Sequence, residues 1–130
     1  MSLSQQRRFP RRRTSVGASR DFVVGVLKEW RLTPLIDDIR LCVSELATNA
    51  VLHGVPPGRE FAVGLRATEE LMRLEVRDSG GGVPVVQQPE ESNCSGRGLF
   101  LAGALAAEFG VDHHTLGKTV WLTFRKPPAH

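Results

Sequence analysis

Ser44-Glu-Leu-Ala-Thr-Asn-Ala-Val-Leu-His-Gly54 decides the fold. Glu45, Asn49 and His53 recur at every fourth residue, which stacks a carboxylate, a carboxamide and an imidazole on one helix face. Leu41, Val43, Leu46, Ala47, Ala50 and Val51 around them are apolar, so a polar stripe runs through a helix built to be buried. Burying such groups costs about 1–3 kcal/mol each unless something satisfies them. A metal ion carrying a phosphate would do so.

The helix predicted here begins with Thr33 as N-cap, Pro34 at the first helical position and Asp37 and Asp38 in the early turns. It runs through Gly54, where Pro56, Pro57 and Gly58 complete the stop. Upstream, Phe22, Val23, Val26, Leu27 and Trp30 have helical period and predict a first helix from Ala18 to Trp30. Downstream, Phe61, Val63 and Leu65 alternate with smaller or polar neighbours, as do Met72, Leu74 and Val76. These are two strands joined by a turn at Thr68-Glu-Glu70. A glycine-rich, then Gln/Glu-rich loop runs from Asp78 to about Ser95. A Leu/Ala-rich helix is expected from Gly98 to Phe109, a strand at Phe109 to Asp112, a turn through Gly117 and a last strand from Val120 to Phe124. Helices grouped before and between hairpins give an α+β class, a two-layer sandwich with helices on one face of a mixed, mostly antiparallel sheet.

A chain of 130 residues that is 41% hydrophobic and 24% charged fits one ordinary domain, expected over residues 18–126 with a tail at 127–130. The net charge of +3 is concentrated at the start, where Arg7, Arg8, Arg11, Arg12 and Arg13 leave the remainder slightly acidic. Residues 1–17 read as a disordered, solubilising basic arm. Nucleic-acid binding through it ranks last, because no aromatic beyond Phe9 interleaves with the arginines. Cys42 sits in the apolar helix and Cys94 in a polar loop, which argues against a disulfide framework and for a reduced, cytoplasmic chain. No apolar run approaches a membrane span, and no signal-peptide core follows the first residues.

Four blocks carry chemistry. The Asn49 side-chain carbonyl suits Mg²⁺, which takes oxygen ligands and is held by one or two protein groups plus phosphates. Glu45, one turn away, is placed to accept a proton from a hydroxyl or water attacking a terminal phosphate. His53 is an outer contact or a helix C-terminal cation. Asp78 continues the apolar face of Met72, Leu74 and Val76 into Ser79-Gly-Gly-Gly-Val83, so it needs a donor, for which the adenine amino group is a candidate. Gly96-Arg-Gly-Leu99 opens a helix whose N-terminal amides, with Arg97, suit phosphate. In Gly117-Lys-Thr-Val-Trp121, Thr119 offers a hydroxyl near a bound base, directly or through water. Singly, each has a plainer reading: a solvated helix stripe, an Asp-Ser-Gly turn, a hinge, a hairpin strand.

In this order and spacing, the four blocks resemble the ATP-binding domain shared by gyrase, the ninety-kilodalton heat-shock chaperone, histidine kinases and mismatch-repair ATPases, the Bergerat fold. Glu45-Leu-Ala-Thr-Asn49-Ala-Val-Leu-His53-Gly54, Gly96-Arg-Gly-Leu99 and Gly117-Lys-Thr-Val-Trp121 look most like the anti-sigma-factor serine/threonine kinases and their actinobacterial relatives. The resemblance covers about residues 18–125. It implies ATP between helices and sheet, Mg²⁺ on Asn49, Glu45 as catalytic base and Asp78 on adenine. By the same resemblance Gly80, Gly82 and Val83 line the base pocket, residues 85–95 form a lid, and Gly96, Arg97, Gly98 and Leu99 meet phosphates, with His53 and Thr119 nearby. It implies as partners a sigma factor and a small antagonist protein whose Ser or Thr is phosphorylated, no membrane, and a possible homodimer through the first helix and sheet edge. The chain carries neither a phosphoacceptor-histidine helix pair nor a transducer domain, so it is expected to act on another protein. It departs from the pattern at Glu90 and Glu91, two carboxylates in the short lid.

Overall fold

The computed structural model describes residues 3–54, 60–78, 105–114 and 117–127. Strand β1 (Leu3–Pro10) leads into helix α1 (Thr14–Glu29), a 3₁₀ turn (Thr33–Leu35), helix α2 (Ile36–Asn49) and a π-helical turn (Ala50–Gly54). Strands β2 (Glu60–Ala67), β3 (Leu71–Asp78), β4 (Glu108–His114) and β5 (Gly117–Arg125) follow. The five strands form one sheet in the order β1-β2-β3-β5-β4. All four pairings are antiparallel, in keeping with the α+β sandwich and mostly antiparallel sheet expected.

Strict alternation explains the layers. In β2, Phe61, Val63, Leu65 and Ala67 are buried, and in β3 Met72, Leu74, Val76 and Asp78 are buried with them. Their partners on β5 are Val120, Leu122 and Phe124, so one sheet face is apolar. Val23, Val26 and Leu27 of α1 and Ile39, Cys42, Val43, Leu46 and Ala47 of α2 close the same core. Each fully buried Leu or Ile in it contributes about 2 kcal/mol. Ser15 and Ser19 are buried on α1, their hydroxyls donating to the Pro10 and Ser15 carbonyls. No helix among the described residues is long and apolar enough to cross a membrane.

The first residues are not a disordered arm. Leu3 to Pro10 form the edge strand against β2, in register from Leu3 opposite Ala67 to Pro10 opposite Glu60. Phe9 anchors it: 5% exposed, it stacks on Phe61 with centroids 5.7 Å apart and meets Phe22 edge-on at 6.1 Å. The Arg7 guanidinium lies over the Phe22 ring at 5.2 Å. Helix α1 accordingly starts at Thr14, not Ala18.

Three boundaries also move. The helix expected from Thr33 to Gly54 is divided into a 3₁₀ turn, an α segment and a π turn, and Thr33 does not cap α2, whose first turn follows Leu35. Of the helix expected over 98–109, residues 98–104 lie outside the described residues. The chain is already strand at Glu108, because Ala107 N–H donates to the Thr123 carbonyl at 2.7 Å and starts the ladder.

Candidate functional site

Helix α2 presents its stripe at the margin of the core. Ile39, Val43, Leu46, Ala47 and Ala50 are buried, while Asp38, Glu45 and Asn49 are half-buried. Cys42 lies between Asp38 and Glu45 on this side and is fully buried. Burial, then the charges of Asp38 and Glu45, push its thiol pKa up to about 12, so the Glu45 field reaches one turn back along the helix. The neighbouring hydroxyls are spent on the helix itself: Ser44 Oγ donates to the Arg40 carbonyl at 2.8 Å and Thr48 Oγ1 to the Ser44 carbonyl at 2.7 Å. Glu45 and Asn49 remain as the carboxylate and carboxamide of the stripe.

Asn49 is the last α-helical residue, and the chain widens at once into the π turn. Such wide turns are uncommon and recur at functional sites. This one is held from outside. Arg11 donates from Nε to the Val51 carbonyl at 2.6 Å and from Nη2 to the Leu52 carbonyl at 3.3 Å. These are carbonyls at a helix end, where such groups lack helical partners. The backbone of His53 belongs to the turn; its side chain lies outside the described residues.

Asp78 closes β3 on the helix-facing side, 6% exposed. The pairing registers carry one row across the sheet at this level: Phe9, Phe61, Asp78, Lys118, His113. Pro10 directly follows Phe9, and Arg11 follows Pro10, so the arginine that grips the π turn leaves the sheet beside this row. The end of α2 that carries Asn49 is thereby brought to the Asp78 end of the sheet, with Glu45 one turn away. Glu45 and Asn49 on α2 and Asp78 on β3, some thirty residues on, thus lie toward the same end of the helix–sheet layer.

Thr119 does not join them. It pairs with Arg77 and Asp112 on the opposite sheet face, is 7% exposed, and its Oγ1 lies 2.8 Å from His114 Nε2. The residue of β5 that flanks Asp78 on its own face is half-buried Lys118. Parity along the strand was available to find it: Val120, Leu122 and Phe124 point inward, so position 118 does too. Gly80, Gly82, Val83, Gly96, Arg97, Gly98 and Leu99, and the lid over 85–95, lie outside the described residues.

The donor set suits a nucleotide with a hard cation. Asn49 offers one neutral oxygen, Glu45 a carboxylate, Asp78 a buried acceptor and Lys118 a donor. Among the described residues no cluster of three or more His, Cys, Asp or Glu side chains forms a metal cage. Mg²⁺ is a cation that takes one or two protein oxygens and draws the rest of its ligands from phosphate and water.

Comparison with known proteins gives the chain its family. Two anti-sigma F factor sequences of Bacillus licheniformis are each 28% identical over 107 residues, which covers 72% of this chain and 73% of theirs. Residues 9–124 match the histidine kinase-like ATPase domain, a span that runs from the buried Phe9 of β1 to Phe124 of β5. With its stripe on α2, its buried Asp78 and its two-layer build, the chain belongs to the histidine kinase-like ATPase domain family, a family of ATP-binding domains.

Proposed function

We propose that this protein binds Mg-ATP, phosphorylates a serine or threonine of a small antagonist protein, and binds and inhibits a sigma factor in the cytoplasm. The observation that supports the reading is that Arg11 ties the end of α2, which carries Glu45 and Asn49, to the end of the sheet where buried Asp78 closes β3. Similarity to the Bacillus licheniformis anti-sigma F factors supports the sigma-factor part.

In this reading Asp78 accepts from the adenine amino group, and its burial strengthens that bond by excluding water. Asn49 holds Mg²⁺ through its side-chain oxygen. When bound, the ion neutralises charge on the phosphates. Glu45 accepts the proton of the antagonist hydroxyl as that oxygen attacks the terminal phosphorus, and ADP leaves in line. Placement one turn apart on one helix fixes the spacing between proton acceptor and cation ligand.

Phosphate transfer from labelled ATP to a candidate antagonist tests the reaction. Glu45→Ala is expected to lose at least about a hundredfold in rate while still binding nucleotide. Activity equal to wild type would remove Glu45 from the mechanism. Calorimetric titration of Mg-ATP into wild type and Asn49→Ala tests the site beneath it, with saturable binding expected in the first and weaker binding in the second.

A second reading is a nucleotide-gated binding module without phosphotransfer. Glu90 and Glu91 favour it, because in the segment that the resemblance reads as a lid two carboxylates would repel phosphates. It keeps the titration result and predicts no labelled product with any partner.

A further inference from the structure

We propose that Lys118 completes the base-reading edge of this site, donating to ring nitrogen N1 of adenine beside the Asp78 carboxylate, an inference that rests on the nucleotide-binding reading above. Asp78 and Lys118 are direct cross-strand partners of β3 and β5 on the helix-facing side. Side chains so paired stand about 5 Å apart at Cβ and address the same ligand. Their neighbours in the row leave little choice of direction. Phe61, the other cross-strand partner of Asp78, is fully buried and closes one flank, and His113, the other partner of Lys118, is exposed and marks the solvent side.

The chemistry of the two groups is complementary. An ionised carboxylate only accepts hydrogen bonds, and an ammonium only donates them. Adenine offers a donor and an acceptor side by side, the amino group at C6 and the bare nitrogen N1. Asp78 takes the first and Lys118 the second. Thr119, one residue on, stands on the far face with His114 and has no part in this edge.

Three nucleotides separate this assignment from its alternatives. Wild type should bind 1-deaza-ATP, in which N1 is replaced by C–H, about tenfold or more weakly than ATP. It should bind 7-deaza-ATP, altered on the other edge, as tightly as ATP. Lys118→Met should bind ATP and 1-deaza-ATP equally, and Lys118→Arg should keep most of the discrimination. Circular dichroism melting confirms that each variant is folded, and the wild-type comparison needs no variant at all. A wild type indifferent to N1, or a Lys118→Met variant that retains the full discrimination, would overturn the assignment while leaving the nucleotide site standing. Failure of folded wild type to bind any of the three would instead overturn the nucleotide reading, and this inference with it.

Discussion

Arg11 Nε donates to the Val51 carbonyl at 2.6 Å, across 40 residues of sequence. The residue just past the first strand thus holds the wide turn that ends α2, immediately after Asn49. A charged donor serving two carbonyls at a helix end is among the stronger hydrogen-bonding arrangements.

Removing that grip should loosen both the fold and the site. Arg11→Ala is expected to cost about 1.5–3 kcal/mol of stability. It should also weaken Mg-ATP binding, because Asn49 loses its fixed position. Arg12→Ala, beside it, serves as the control. Urea denaturation and calorimetry check both effects, and an Arg11→Ala protein indistinguishable from the control would refute the coupling.

The N-terminal strand should be indispensable. Phe9→Ala is expected to destabilise by about 3–5 kcal/mol, since it vacates a buried site shared with Phe22 and Phe61. Deleting residues 1–10 should leave a chain that melts without cooperativity or aggregates through the bared edge of β2. Unchanged melting of the truncated chain would restore the picture of a dispensable basic arm.

Gly110 makes room for Trp121. A Cβ at position 110 would come within 2.5 Å of the indole, which in turn lies under the Arg73 guanidinium at 4.7 Å. Gly110→Ala must push the ring off this stack and should cost about 1–3 kcal/mol. Shrinking the ring in Gly110→Ala/Trp121→Leu should recover part of the loss. A double variant whose cost is the plain sum of the singles would contradict the clash.

Cys42 gives the stability a signature in alkali. Its thiol has an ordinary pKa of 9.0 and is pushed up to about 12 in the folded chain by burial and by Asp38 and Glu45. Above pH 9 the unfolded chain releases this proton and the folded chain does not, so stability is whole below pH 9 and falls toward pH 12. The slope attributable to Cys42 approaches about 1.4 kcal/mol per pH unit. The absence of tyrosine removes one competing titration from the window. Urea midpoints measured from pH 8 to 11 should decline more steeply in wild type than in Cys42→Ala; parallel declines would count against the assignment.

Much of the site was legible from residue pattern. The alternation of Phe61, Val63 and Leu65 and of Met72, Leu74 and Val76 located β2 and β3, and with them the inward-facing Asp78. The four-residue spacing placed Glu45 and Asn49 on one helix side. Leu3 to Pro10 escaped because an edge strand needs only one buried side chain, here Phe9, and its glutamines and arginines look like solvated coil. The π turn escaped because its cause, Arg11, is distant in sequence. Thr119 was picked for its hydroxyl, although the inward parity of Val120 and Leu122 places it on the opposite face and Lys118 beside Asp78.

The pairing of β1 with β2 also sets a timetable for synthesis. Leu3 finds Ala67, and Pro10 finds Glu60, so β1 waits for a partner made at least some fifty residues later. During that wait α1 and α2 can pair through local contacts, which form faster than distant ones. The nascent strand must meanwhile stay in water without sticking to other chains. Its serine, glutamines and arginines keep it hydrated until β2 emerges, and the ladder with buried Phe9 then fastens it in place.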